Sequence, residues 1–160
     1  SSVNFNDFIY SKNIMKIYKI PEPVLLYYYQ NGNYDVKIYS DGTKGRTTED
    51  DKFIAQFPDN IECKITNKCD MGCAFCHENS VVDGLHGNIN HPILSMLHPG
   101  QEIAIGGGNI FEHPDFEEFL IRLKDLGVIS NITVNQHHIE IEENLNKVRK
   151  WQKEKFILLL

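Results

Sequence analysis

From Asn60 onward, short β-prone runs alternate with loops and amphipathic stretches, and this rhythm constrains the fold more than any other feature of the chain. "IECKIT" reads as a first strand, "QEIAI" as a second and "NITVN" as a third. Between them lie a short helix candidate, "NHPILSML", and the clearest helix of the chain, "HPDFEEFLIRLKDLG". In the latter, Pro114 suits a first helical turn, and Asp115, Glu117 and Glu118 complement the positive end of the helix dipole. Phe116, Phe119, Leu120, Leu123 and Leu126 recur at helical spacing, and Gly127 follows as a stop signal. Another helix is expected in "IEENLNKVRKWQKE", with Ile141, Leu145 and Val148 on one face, and "FILLL" reads as the start of a fourth strand buried on both faces. Such alternation dictates right-handed βαβ crossovers and a parallel sheet. The expected class is therefore α/β, with a partial (βα) barrel over residues 59–160. A closed barrel of eight units takes about 250 residues. The barrel thus reads as truncated: either the chain is part of a longer one, or a partner covers the exposed edge.

Residues 1–58 read differently, as a β-rich extension. "IMKIYKI" alternates apolar and polar residues, and "PVLLYYYQNGNYDVKIYS" holds two β-prone runs around Asn31-Gly32, a hairpin signal. "SDGTKGRTTEDD" reads as a polar loop. A small antiparallel meander is expected here, and the alternating faces of a hairpin account for the Tyr27–Tyr29 run more simply than stacking on a ligand does.

Charge and hydropathy narrow the function classes. A formal net charge of −6 argues against a general nucleic-acid binder, which needs a basic footprint. No apolar run approaches the roughly 20 residues of a membrane helix, and the opening "SSVNFNDF" is polar, unlike a secretory leader. All four cysteines lie between Cys63 and Cys76, which suits a metal site in a reducing cytoplasm better than a disulfide framework.

Ligand-binding loops of parallel sheets gather at the carboxyl ends of the strands. Three informative loops fall there: the cysteine loop after the first strand, Gly106–Asn109 after the second, and Asn135 after the third. "CDMGCAFCHENS" carries Cys69, Cys73 and Cys76. Four thiolates normally hold a four-iron cluster. Three would leave one iron open to a small molecule, as three protein ligands do in catalytic zinc. Gly72 eases the wrapping of the loop.

"CDMGCAFC", a C-x3-C-x2-C pattern with aromatic Phe75 before the last cysteine, resembles the cluster motif of the radical S-adenosylmethionine (radical SAM) enzymes. The resemblance runs from about residue 60 to the end: "IECKITNK" is similar to that family's first barrel strand, "GGGNIFEHPDFEEFLIRLKDLG" to its Gly-Gly-Glu-Pro region, and "ITVNQ" to its third strand end. It implies that Cys69, Cys73 and Cys76 bind a [4Fe–4S] cluster whose fourth iron chelates S-adenosylmethionine. One-electron reduction, from a donor such as flavodoxin or ferredoxin, then yields methionine and a 5′-deoxyadenosyl radical that abstracts hydrogen from substrate. Phe75 would lie beside the adenine, Gly106, Gly107 and Gly108 would meet the amino end, and Asn135 the methionyl or ribose part. Gly108 stands where the family has Glu and Asn109 where it has Pro, so backbone carbonyls or the Asn109 side chain would serve in place of the carboxylate. The substrate stays open among peptides, nucleosides and small metabolites.

The competing reading is a zinc- or cluster-stabilised binding module without catalysis. Cys63, His77 or His86 would then supply a fourth ligand and close a tetrahedral site. Cys63 otherwise reads as a buried strand residue, His77 and Glu78 as a polar loop, and His137 and His138 as exposed loop residues. The GGGN spacing matches neither the Walker pattern nor the dinucleotide fingerprint.

Overall fold

A computed structural model describes residues 21–73, 76 and 80–157. The expected strand "IMKIYKI", the residues Phe75, His77 and Glu78, and all of "FILLL" after Ile157 lie outside them. The fold is mixed α/β, with an antiparallel sheet of three strands and a parallel sheet of three strands.

The antiparallel sheet is the expected meander: β1 (Leu25–Asn31), β2 (Tyr34–Tyr39) and β3 (Lys44–Thr47), in that order. Two details differ from the sequence reading. β3 lies inside the stretch expected to be a polar loop, because pairing with β2 satisfies its backbone. The hairpin turn is shifted by one residue: Asn31 pairs with Tyr34, and Gly32, at φ +59°, opens the two-residue loop.

Asn31 is wholly buried and joins two segments. Its Nδ2 donates to Phe57 O (2.7 Å) and Asp59 Oδ1 (2.8 Å), and its Oδ1 accepts from the amides of Gln56 and Phe57. Asp59 also accepts from Tyr29, Tyr34 and Arg46. Burial alone would raise the Asp59 pKa, but the hydrogen bonds from Asn31, Arg46, Tyr34 and Tyr29 outweigh it and hold the carboxylate below its ordinary value. Tyr27 and Tyr28 do not alternate in burial; both are exposed among the described residues.

The parallel sheet runs β4 (Asn60–Thr66), β5 (Glu102–Gly107), β6 (Ile129–Ile132). β6 begins and ends earlier than "NITVN". Because paired residues of a parallel sheet share a face, Ile61, Cys63, Ile103, Ile105 and Ile132 point to one side. There they meet α1 (Phe116–Asp125), whose Phe116, Phe119, Leu120 and Leu123 are all buried, and α3 (Glu142–Lys153), through Val148 and Trp151. Leu126, expected on the stripe, is exposed at the end of α1, and Ile141 is exposed at the N-cap of α3. The "NHPILSML" segment forms a 3-10 turn over Pro92–Met96. Glu117 ties α3 to α1 by accepting from Trp151 Nε1 (3.0 Å) and Lys150 Nζ (2.7 Å).

The opposite face of the sheet is polar and open toward its carboxyl end, where Glu62, Lys64, Ala104 and Thr133 are exposed. Its amino end is capped by the meander: Tyr34, Val36 and Ile38 of β2 pack on Ile129, and Lys44 pairs with Glu102 at 3.0 Å. The two sheets are therefore joined through the end remote from the cysteines. No described helix is long and apolar enough to cross a membrane.

Candidate metal centre and ligand cavity

The cysteine loop leaves β4 through a braced neck. Cys69 N donates to Val81 O (2.8 Å), Val81 N to Asn67 O (2.9 Å), and Gly87 N to Ile65 O (2.6 Å). Isolated bridges join Thr66 to His86 and Lys68 to Val81. Beyond this neck Gly72 takes φ +56°, the left-handed conformation that lets the loop turn between the first two cysteines.

The end of β5 is locked to the same neck. Gly108 N donates to Thr66 O (2.8 Å) and Asn109 N to Lys68 O (2.7 Å). A Cβ on Gly107, at φ +119°, would lie 2.2 Å from Thr66 O, and one on Gly108 would lie 2.2 Å from Lys68 O. These two glycines are thus required by backbone-on-backbone packing. At Gly106 the nearest atom to such a Cβ is Thr133 Cβ, at 3.9 Å, so this position alone of the three has room for a side chain.

The three rims enclose one cavity of about 660 Å³, within the size of ordinary small-molecule sites. Cys69, Cys73 and Cys76 line it, with Gly106, Gly107 and Gly108 on one side and Thr133, Val134 and Asn135 on the other. Its described lining also includes Glu62 and Lys64. Asn109 does not line it: this buried residue spends its Oδ1 on Phe111 N (3.1 Å), capping the 3-10 turn Ile110–Glu112. Asn135 does line it, while its Oδ1 accepts from His137 N (2.9 Å) at the start of α2 (Gln136–Ile139).

The cysteines are all free thiols, and Cys73 is exposed. One tetrahedral ion with Zn–S bonds of about 2.3 Å needs its thiolates about 3.8 Å apart. Among the described residues, Cys69, Cys73 and Cys76 do not form a group of donor atoms within 4.8 Å of one another. In a four-iron cluster each thiolate binds a separate iron, so such a cluster would not need the three sulfurs to meet at one ion.

The suggested fourth ligands are placed differently. Cys63 borders the same cavity from β4, but its side chain packs against the hydrophobic core on the helix-covered face, and burial pushes its thiol pKa up. His86 is not among the described lining of this cavity: its Nδ1 is 2.9 Å from Thr66 Oγ1, and its ring lies 5.0 Å from that of His113. Burial, then the charges of His113 and Lys68, lower its pKa.

His138 corrects the sequence reading. Instead of an exposed loop residue it is a buried one, its Nε2 3.2 Å from Asp70 Oδ1 of the cysteine loop. Its neighbour His137 is exposed, as expected. The legible signal was the position of His138, one helical turn after the Asn135 cap on the same rim as the cysteines. The chain matches no protein-family model, no curated protein and no solved structure.

Proposed function

We propose that the chain is part of a radical SAM enzyme, its parallel sheet the opening portion of a (βα) barrel. The single observation that supports this is the shared cavity: the three thiols and the Gly106–Gly108 rim open onto one space at the carboxyl ends of three parallel strands. On this reading Cys69, Cys73 and Cys76 hold a [4Fe–4S] cluster. Bound there, the cluster would supply one electron to the sulfonium of S-adenosylmethionine, releasing the 5′-deoxyadenosyl radical used on substrate.

The chain's own residues have simpler tasks. The Gly106–Gly108 rim offers the ligand's amino end peptide groups without side chains, and Asn135 borders the far side. Gly108 cannot carry the family's carboxylate while Lys68 O sits against it, so that charge is absent from this rim. Phe75, which lies outside the described residues, would on this reading sit beside the adenine. A one-electron donor such as flavodoxin or ferredoxin, a cytoplasmic setting and an organic substrate of unassigned class complete the proposal.

The test is anaerobic reconstitution with iron and sulfide. A four-iron cluster is expected, with an EPR signal of the reduced form that changes on adding S-adenosylmethionine. Ser substitution of Cys69, Cys73 or Cys76 should each abolish it. A chain that takes up no iron and sulfide, or keeps its cluster in all three variants, refutes the proposal.

A further inference from the structure

The cysteine loop meets α2 through chemistry that a cluster does not require. Cys69, Asp70 and His138 bring one sulfur, one oxygen and one nitrogen within 4.8 Å of one another. We propose that these three side chains form a site for a single divalent transition-metal ion of the zinc or iron(II) class, exclusive with any use of Cys69 in a cluster.

One edge of the group has the length that a bound ion would set, and the sulfur lies within 4.8 Å of both other donors. Zinc bonds to nitrogen and oxygen of about 2.0–2.1 Å imply a tetrahedral edge of about 3.3 Å. His138 Nε2 and Asp70 Oδ1 stand 3.2 Å apart as hydrogen-bond partners, a separation that an ion between them could keep. Sulfur, carboxylate and imidazole together make a donor set that zinc and iron(II) accept.

The imidazole is also held for the task. His138 has only 5% of its side chain exposed, whereas Asp70 has 67%. The backbone on either side of the ring is pinned: His138 N donates to Asn135 O (3.0 Å), and its carbonyl accepts from the buried Asn144 Nδ2 (2.8 Å). On the other side, Cys69 is anchored through its amide to Val81 O. A contact with a largely exposed carboxylate contributes little. A metal gives the buried nitrogen a stronger partner.

Three protein donors leave a fourth position free, the arrangement of reactive zinc sites. Cys69 and His138 both line the cavity of about 660 Å³, so that position opens onto it. One consequence is competition: an ion here holds Cys69 and blocks its use with Cys73 and Cys76. The proposal does not depend on the cluster reading.

The experiment is an anaerobic titration of the metal-free chain with cobalt(II) alone, followed by zinc(II). Expected are one equivalent bound, a charge-transfer band from one thiolate, and displacement by zinc. Cys69→Ser and His138→Asn should each weaken binding roughly tenfold or more, whereas Cys73→Ser and Cys76→Ser leave it unchanged. Asp70→Asn, at an exposed position, should weaken binding while circular dichroism stays native, which covers the case of His138→Asn failing to fold. Absence of the band overturns the proposal. So does a band that survives Asp70→Asn and is lost in Cys73→Ser. Iron–sulfide reconstitution requires Cys73 and Cys76 and not His138, so the two proposals fail separately.

Discussion

Replacing Gly108 with Ala tests whether the glycine rim is packed against the cysteine loop or left open for a ligand. The added Cβ would sit 2.2 Å from Lys68 O and 2.7 Å from its carbonyl carbon. An ordinary carbon–oxygen contact is about 3.3 Å, so one backbone segment must move by about 1 Å. The segment in question is the neck of the cysteine loop, where Lys68 O accepts from Asn109 N at 2.7 Å. Overpacking of this kind costs about 1–3 kcal/mol, and a weakened buried backbone bond adds about 1 kcal/mol. The expected loss is therefore about 2–4 kcal/mol. In urea, with a slope of about 2 kcal/mol per molar, the midpoint should fall by about 1–2 M. Gly106→Ala is the internal control. Its Cβ meets nothing closer than 3.9 Å, and stability should stay within about 0.5 kcal/mol of the parent. An unchanged midpoint in Gly108→Ala, or an equal loss in both variants, would refute the packing account. The same contact implies that Gly108→Glu, which restores the residue found in the resembling family, destabilises the chain instead of improving ligand binding.

Other outcomes follow from single interactions. Asp59→Ala should lose about 3 kcal/mol, because four donors converge on this carboxylate and the buried Asn31 amide is stranded. Since folding lowers the Asp59 pKa, its stabilisation is present above the ordinary value of 3.8 and is lost as pH falls through the folded value. Urea midpoints measured at falling pH should therefore drop less steeply in Asp59→Asn than in the parent. Leu120→Ala, at a fully buried position of α1, should cost about 2–5 kcal/mol in the same assay. Cys63→Ala should retain iron and sulfide after reconstitution; loss of the cluster in this variant would count against the three-cysteine assignment and in favour of a four-thiolate site.

Much of the architecture was legible because it rests on local periodicity. The apolar spacing of Phe116, Phe119, Leu120 and Leu123 led directly to α1, and the β-prone runs around Asn31 led to the meander. The cysteine loop, the glycine rim and Asn135 were assigned to one end of the sheet from strand order alone, and they share one cavity. Errors arose where a residue's role depends on what crosses over it. Asn31 looked like a turn residue, yet it is buried under the segment around Phe57 and Asp59, whose amides and carboxylate claim its side chain. Leu126 fits the α1 stripe by spacing, but it is the exposed C-cap residue just past the helix end.

The sequence by itself determined the order of strands and helices and the presence of three thiols on one loop, because spacing and periodicity are properties of neighbouring residues. Only the tertiary structure decided what surrounds those thiols. Gly107 and Gly108 are excluded from bearing a side chain by carbonyls some forty residues away, and His138 is turned onto Asp70 by the docking of α2 beside the loop. Such roles are set by contacts between distant segments, and local patterning carries no record of which backbone will pass overhead.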